Sequence, residues 1–441
     1  MMVKELIREV KTLNTFKHYG KVTQVVGLMI ESKGPQVSVG EICFIHVGPS
    51  SSRKIMVEVV GFRDEKVLLM PFDRIQEISP GSLVEATHKP LEVKLGTSLI
   101  GQVLDGIGRP LGGQKQIVTG LSSFPTENDP PNPLERPRIE EPLSLGVKAI
   151  DGLFTVGKGQ RVGIFAGSGV GKSTLMAMIA KNSDAHINVI ALIGERGREV
   201  RDFIERDLGP EGLKNTIVIA ATSDQPALMR IKGAMTATAV AEFFRNQGLN
   251  VTLMMDSVTR VAMAQREIGL AIGEPPTTKG YTPSVFSILP RLLERSGTNE
   301  HGSITAFYTV LVDGDDMSEP IADTVRGILD GHLVLDRKLA NRGQFPAINI
   351  LKSISRVMNE IVSSSHKRAA DRVRSLMALY EDSEDLISIG AYKRGTNREL
   401  DTAVQQYPEI IAFIKQQLDE RIPLENTIYE LNAKFGEGES S

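Results

Sequence analysis

The alternation of apolar and polar positions changes character twice along the 441 residues, and each change marks a different kind of structure. Residues 2–18 place Ile7, Val10, Leu13 and Phe16 at steps of three, with Lys4, Arg8, Lys11 and Lys17 set against Glu5 and Glu9. That is the spacing of a short amphipathic helix of mildly positive charge. The residues leave open whether it folds back on its own domain or faces a partner. From 20 to about 87 the pattern becomes short alternating runs, at 21–30, 41–47, 56–62 and 66–70, punctuated by glycine and proline. Several short strands with regular turn signals predict a small β-barrel.

The stretch 125–142 carries six prolines and predicts an ordered connector over the next domain rather than regular structure. From 146 to about 361, apolar runs at 161–165, 188–193, 216–221, 250–255, 303–312 and 347–351 alternate with amphipathic helical patterns. This alternation predicts an α/β domain, a mostly parallel sheet with helices on both faces. Such a sheet binds ligands at the carboxyl ends of its strands. Beyond 362 the strand signals stop. Residues 366–380 and 398–418 read as amphipathic helices, separated by a segment that includes the loop 390–397, and the last six residues read as a frayed end. The expected organisation is an N-terminal segment (1–19), a barrel (20–90), an α/β domain (91–362) and a C-terminal helical domain (363–441). No internal repeat is present.

Composition narrows the class. With 41% hydrophobic and 24% charged residues the chain is ordinary for a soluble globular protein. Its 51 basic and 54 acidic residues give a net charge of −3, so no global field favours nucleic acid. The one cysteine, Cys43 within Glu-Ile-Cys-Phe-Ile, reads as strand core, excludes an internal disulfide and fits a reducing compartment. The seven histidines show no metal-ligand spacing. The apolar stretch 304–312 is about half of what a bilayer span requires, and the N-terminus lacks a signal peptide's apolar core. Together these predict a cytoplasmic protein.

Residues 166–174, Ala-Gly-Ser-Gly-Val-Gly-Lys-Ser-Thr, say most about chemistry. An apolar run leads in and a helical pattern leads out, the strand–turn–helix context of a phosphate-binding P-loop. Gly167, Gly169 and Gly171 let consecutive backbone N–H groups converge on a phosphate. Ser168 and Val170 complete the turn. Lys172 brings a point charge toward the β- and γ-phosphates, and Ser173, followed by Thr174, offers a hydroxyl to Mg²⁺. The helix starting there adds its positive end. Ala166 departs from the glycine usual at the first position, which is admissible where its φ is negative. A chain so equipped binds a nucleoside triphosphate.

Two more strand ends complete the site. The run 251–255 delivers Asp256, the position from which an aspartate meets the Mg²⁺ shell, although the same residue also suits the start of the next helix. The run 189–193 ends in Gly194-Glu195-Arg196-Gly197-Arg198-Glu199. A carboxylate just beyond a sheet strand can orient and polarise the attacking water, a role assigned to Glu195. Glu199 reads instead as a surface partner of Arg196 or Arg198. Phosphoryl transfer also needs positive charge as the transition state develops, often from a neighbouring subunit. Arg356 follows a predicted strand in Ser353-Ile354-Ser355-Arg356-Val357, and spacing alone leaves it a surface arginine. Phe345-Pro346 likewise reads as an apolar strand start.

Taken in order after the P-loop, Gly194-Glu195-Arg196, Asp256 with Arg260, and Phe345-Pro346-Ala347 followed by Ser353-Ile354-Ser355-Arg356 resemble the catalytic subunits of the rotary ATPases and their secretion relatives. The resemblance covers nearly the whole chain. It implies a small N-terminal β-barrel, a RecA-like P-loop core and a C-terminal helical domain. It further implies Glu195 as general base, Lys172 and Arg196 as γ-phosphate contacts, and Asp256 in the Mg²⁺ shell. Phe345 would stack on adenine, and Arg356 would be a finger reaching into the adjacent subunit's site. Arg260 matches a further arginine of the group.

Within that group the chain is most similar to the flagellar protein-export ATPases of type III secretion. The similarity rests on Met56-Val57-Glu58-Val59-Val60-Gly61-Phe62, Val67-Leu68-Leu69-Met70-Pro71, Gly273-Glu274-Pro275-Pro276 and Gly390-Ala391-Tyr392-Lys393-Arg394-Gly395-Thr396-Asn397. Where a rotary synthase β-subunit carries a strongly acidic loop facing the central stalk, this chain places Lys393, Arg394 and Arg398. Such a loop either meets a partner of opposite complementarity or is simply solvated. The resemblance implies a Mg²⁺-dependent ATPase, a homohexameric ring with sites between subunits, held peripherally beneath a membrane export gate. It implies a stator-like regulator at the N-terminal segment, a coiled-coil stalk protein in the pore, and export substrates with their chaperones at the C-terminal domain. Three other readings stand beside it. A virulence-type secretion ATPase shares every motif. A ring-shaped RNA translocase should carry stacking aromatics on a basic groove, whereas 20–87 holds only Phe44, Phe62 and Phe72. A non-catalytic ring subunit should lack Glu195.

Overall fold

The computed structural model describes residues 17–47, 53–74, 77–112, 119–312 and 316–436. The helix expected over 2–18 lies outside them except for Lys17 and His18, and of the expected frayed end only Gly436 lies within.

The first unit is a closed barrel. Strands β1 (Tyr19–Val26), β2 (Met29–Lys33), β3 (Glu41–His46), β4 (Lys54–Arg63), β5 (Lys66–Pro71) and β6 (Leu83–Pro90) join in the order β1-β2-β5-β4-β3-β6, every pair antiparallel. Val22, Ile30, Cys43, Ile45, Val57, Leu69 and Val84 point inward. Closure leaves no sheet edge exposed, so short strands suffice. Cys43 is fully buried there and burial pushes its thiol up to about 12, as expected of an inert core cysteine.

The central unit is built on a twisted sheet. After a small pair, β7 (Glu92–Leu95) with β9 (Ser122–Pro125), come β8 (Val103–Leu104), β10 (Arg161–Ala166), β11 (Ile187–Ile193), β12 (Thr216–Ala221), β13 (Asn250–Asp256), β14 (Gly297–Thr298), β15 (Ser303–Leu311), β16 (Gly331–Leu335) and β17 (Ile354–Ser355). The order across the sheet is β17-β16-β10-β15-β13-β11-β12-β8. All neighbours run parallel except β17 at the edge and β14, which pairs with β15. Every residue of β11 and β12 is buried, because helices cover both faces.

The apolar run 347–351 does not form the strand expected of it. Only Ile348 bridges Leu335, and the neighbour of β10 on the side away from β15 is β16, which the apolar pattern did not reveal. The reason is local turn chemistry. Pro346 has no N–H to donate. The Asn349 side chain accepts from the Lys352 N–H at 3.0 Å, and its carbonyl accepts from Ser353 Oγ at 2.6 Å, so the chain turns instead of extending.

Of the connector expected over 125–142, Pro125 closes β9, and residues 126–142 lie along the core without helix or strand. Asn128 donates to Glu242 at 2.7 Å, and Arg136 donates to the Ser296 carbonyl at 2.8 Å. Barrel, connector and core meet at Lys232, 2% exposed, whose Nζ lies 2.8 Å from Glu58 and 2.5 Å from Glu127. Burial opposes its charge, but the two carboxylates prevail and raise its pKa.

The C-terminal unit has three helices, Ser364–Ser388, Arg398–Ile414 and Leu424–Phe435. The third was not expected, and the first two differ in extent from 366–380 and 398–418. Phe413, Ile414, Leu431 and Phe435 belong to the same buried cluster as Ile164 and Leu175, so the helical unit and the α/β core share one hydrophobic interior.

Candidate nucleotide site

Strand β10 ends at Ala166, still in strand geometry, which is why alanine is accepted there. The chain then turns through glycines whose backbones are left-handed, Gly169 at φ 75° and Gly171 at φ 92°. Gly171 leads into the helix Lys172–Asn182, anchored by the buried Leu175, Met176 and Ile179. Val170 is buried beneath the loop, while Ser168 and Gly169 are exposed. The loop therefore presents its backbone outward at a helix N-terminus, the arrangement that binds phosphate.

Three elements converge on Lys172. Its ammonium pairs with Asp256 Oδ1 at the tip of β13 and lies 3.7 Å from Glu195 Oε1, just beyond β11. Thr309 of β15, the strand between β10 and β13, donates to Asp256 Oδ1 at 2.7 Å. The three charged side chains are 12%, 16% and 4% exposed for Lys172, Glu195 and Asp256, so their mutual field is little screened. One ammonium is thus shared between two carboxylates. Glu195 Oε1 is buried and accepts no hydrogen bond. Burial and the Asp256 charge push the Glu195 carboxyl up to about 7; Lys172 opposes this and Glu199 reinforces it. Gly194, at φ 71°, is required here, because a Cβ would stand 2.7 Å from that of Arg260.

Other residues singled out from the sequence lie around this core at different distances. Ser173 and Thr174 are half-buried in the first turn of the helix. Arg196 is 81% exposed and pairs with Glu199 at 3.2 Å; the structure does not bring it to Lys172. The Phe345 ring is 45% exposed and lies against the loop, 3.6 Å from where a Cβ on Gly171 would be. Its carbonyl accepts from the Gln416 N–H at 3.0 Å, which ties it to the C-terminal unit. Arg356 is exposed and follows β17, which pairs with the amino end of β16 through Ser355 and Gly331. Since Leu335 at the other end of β16 pairs with Ala166, Arg356 stands roughly 15 Å along the sheet from its own P-loop. Thr309 and Arg337, whose Nη2 donates to the Ser168 carbonyl at 3.0 Å, escaped sequence reasoning. A threonine inside a buried strand and an arginine after a missed one carry no signal of their own.

A divalent cation fits this donor set. Asp256 is a buried carboxylate and Ser173 a hydroxyl at the helix start. Among the described residues no group of three or more His, Cys, Asp or Glu could hold a metal ion. Two such oxygen donors fit Mg²⁺, which keeps waters and substrate oxygens in its shell. Among the same residues no helix is long and apolar enough to cross a membrane.

Comparison with known proteins extends the picture to the whole chain. Residues 146–355 match the nucleotide-binding domain of the ATP synthase alpha/beta family, and 22–88 match the beta-barrel domain of that family. Residues 362–433 match the T3SS EscN ATPase C-terminal domain. The chain is 64% identical over 439 residues to the flagellum-specific ATP synthase of Bacillus subtilis, covering all of both chains. It is 50% identical over 423 residues to the type 3 secretion system ATPase of Xanthomonas euvesicatoria, covering 96% of this chain and 95% of that one. Among solved structures it resembles the assembled ATPase EscN, in complex with its central stalk EscO, from the enteropathogenic E. coli type III secretion system. The TM-score is 0.87 at 45% identity, covering 94% of this chain and 100% of that chain.

Proposed function

The chain belongs to the ATP synthase alpha/beta family, and from that premise we propose that it is the Mg²⁺-dependent ATPase of a flagellar type III export apparatus. It works as a homohexameric ring on the cytoplasmic side of the membrane export gate. The observation that carries the reading is the single Lys172 ammonium shared by Glu195 and Asp256 at the mouth of a P-loop. When a triphosphate enters, Lys172 turns to the β- and γ-phosphate oxygens and releases Glu195. In the free site, with Lys172 still beside it, that carboxyl is pushed up to about 7, a range matched to accepting a proton from water near neutrality. Asp256 and Ser173 would hold Mg²⁺, which when bound would neutralise charge on the phosphates. Phe345 faces the adenine. Arg196 swings from Glu199 toward the γ-phosphate, and Arg356, remote from its own P-loop, serves the neighbour's site.

The 64% identity to a flagellum-specific relative, against 50% to a secretion-system ATPase, favours flagellar over virulence export. The exposed Lys393, Arg394 and Arg398 suit a coiled-coil stalk protein of acidic complement, as EscN is joined by its stalk EscO. The loop bearing them is pre-shaped, since Asp401 accepts from the Gly395 N–H at 2.9 Å and from the Tyr392 hydroxyl. Residues 1–19 would take a stator-like regulator, and chaperoned export substrates would meet the C-terminal helices. The test is turnover per subunit against protein concentration. Interfacial sites require it to rise as rings assemble; a constant value would overturn the reading.

A further inference from the structure

Strands β10 and β16 run parallel with Ala166 opposite Leu335. Two residues beyond each partner lie Ser168, in the exposed part of the P-loop, and Arg337, in the first turn of a short helix. Arg337 Nη2 donates to the Ser168 carbonyl at 3.0 Å across 169 residues of sequence. The segment bearing Arg337 is itself fixed. Asp336 accepts from the Lys338 N–H at 2.8 Å and from Asn349 at 3.1 Å, and its own N–H donates to the Ala347 carbonyl at 2.9 Å. At the far end of the same segment Phe345 lies against Gly171. Residues 337–345 therefore grip the phosphate loop at both ends.

The consequence follows from peptide geometry. In a planar trans peptide the C=O and N–H point in opposite directions. A guanidinium holding the Ser168 carbonyl on one side of the loop turns the Gly169 N–H to the other. Gly169 sits at φ 75°, and a glycine peptide with no side chain resists rotation poorly. Something outside the loop must keep that amide aimed before phosphate arrives.

Building on the ATPase reading above, we infer that Arg337 is a positioning residue that pre-aligns the Ser168–Gly169 peptide for binding the substrate's phosphates. It touches the loop backbone, not the reacting atoms. Because Arg337 is exposed, its replacement leaves the core intact. With full-length protein, N-methylanthraniloyl-ADP and Mg²⁺, Arg337→Ala should weaken binding roughly tenfold or more, the usual worth of a charge-assisted hydrogen bond. KM for ATP should rise by more than kcat falls. The melting temperature without nucleotide should stay that of the wild type. Arg337→Lys should recover part of the affinity, since one ammonium donor can still reach the carbonyl. Wild-type affinity in Arg337→Ala, a loss accompanied by a lower melting temperature, or no recovery in Arg337→Lys would overturn the inference while leaving the ATPase reading standing. A wild-type chain that binds no nucleotide would bring down both.

Discussion

The shared ammonium makes a quantitative claim about pH. In the free site Glu195 ionises with a pKa of about 7 instead of the ordinary 4.5, which corresponds to ~3 kcal/mol of disfavoured ionisation. The native chain therefore binds an extra proton between these two values. Its stability falls as pH rises from about 4.5 to about 7, and the cost is carried in full above that. Only the ionised form can accept a proton from water, so activity moves the other way: roughly a tenth of the sites are competent at pH 6 and nine tenths at pH 8. The assay is kcat/KM for ATP from pH 5.5 to 8.5, with Mg²⁺ in excess so that the substrate keeps one charge state. The profile should climb with unit slope and level off near pH 7. Glu195→Gln should keep nucleotide binding, lose roughly 10²–10⁴ in rate and lose the inflection. Glu199→Gln, which removes the reinforcing neighbour, should move the inflection to lower pH. A flat wild-type profile, or the same inflection surviving in Glu195→Gln, would refute the assignment of the base.

Two further outcomes are expected. Arg356→Ala should lower turnover by roughly 10³ if its guanidinium completes the neighbouring site, and mixing it with Glu195→Ala subunits should restore some activity; co-assembled rings that stay inactive would rule out action across the interface. Lys232→Met should destabilise the chain by about 3–5 kcal/mol in denaturant unfolding, because Glu58 and Glu127 lose their shared cation while Glu58 stays buried. Replacing both Glu58 and Glu127 by Gln in that background should recover much of it, and an unchanged unfolding midpoint in Lys232→Met would show that the triad holds nothing together.

What was legible in the sequence was whatever a local period or motif encodes. The P-loop could be read because glycine spacing, lysine and flanking apolar runs are all contiguous. Asp256 and Glu195 could be placed because the first closes and the second lies just beyond a largely apolar strand, and such strands finish at the ligand edge of a parallel sheet. Strand β16 was missed because Gly331 and His332 leave only three consecutive apolar residues in its five, while 347–351 imitated a strand that Pro346 and Asn349 forbid. Thr309 and Arg337 were beyond reach for a different reason. Their roles exist only through strand order, which sets β15 between β10 and β13 and β16 beside the P-loop. The last helix, Leu424–Phe435, begins after Pro423 with no side-chain cap to announce it.

Gln416, whose backbone N–H donates to the Phe345 carbonyl, also has its side chain built into the core: the amide nitrogen donates to the Gly146 carbonyl and the amide oxygen accepts from the Lys148 N–H. Arg342, three residues before Phe345, is tied to Glu384 of the first C-terminal helix at 2.9 Å. The lip of the nucleotide pocket is thus shared property of two units. A pull on the terminal helices is therefore transmitted through Gln416 and Arg342 to the segment that carries Phe345 beside the P-loop, so that under the proposed function load on those helices should change how long nucleotide stays bound.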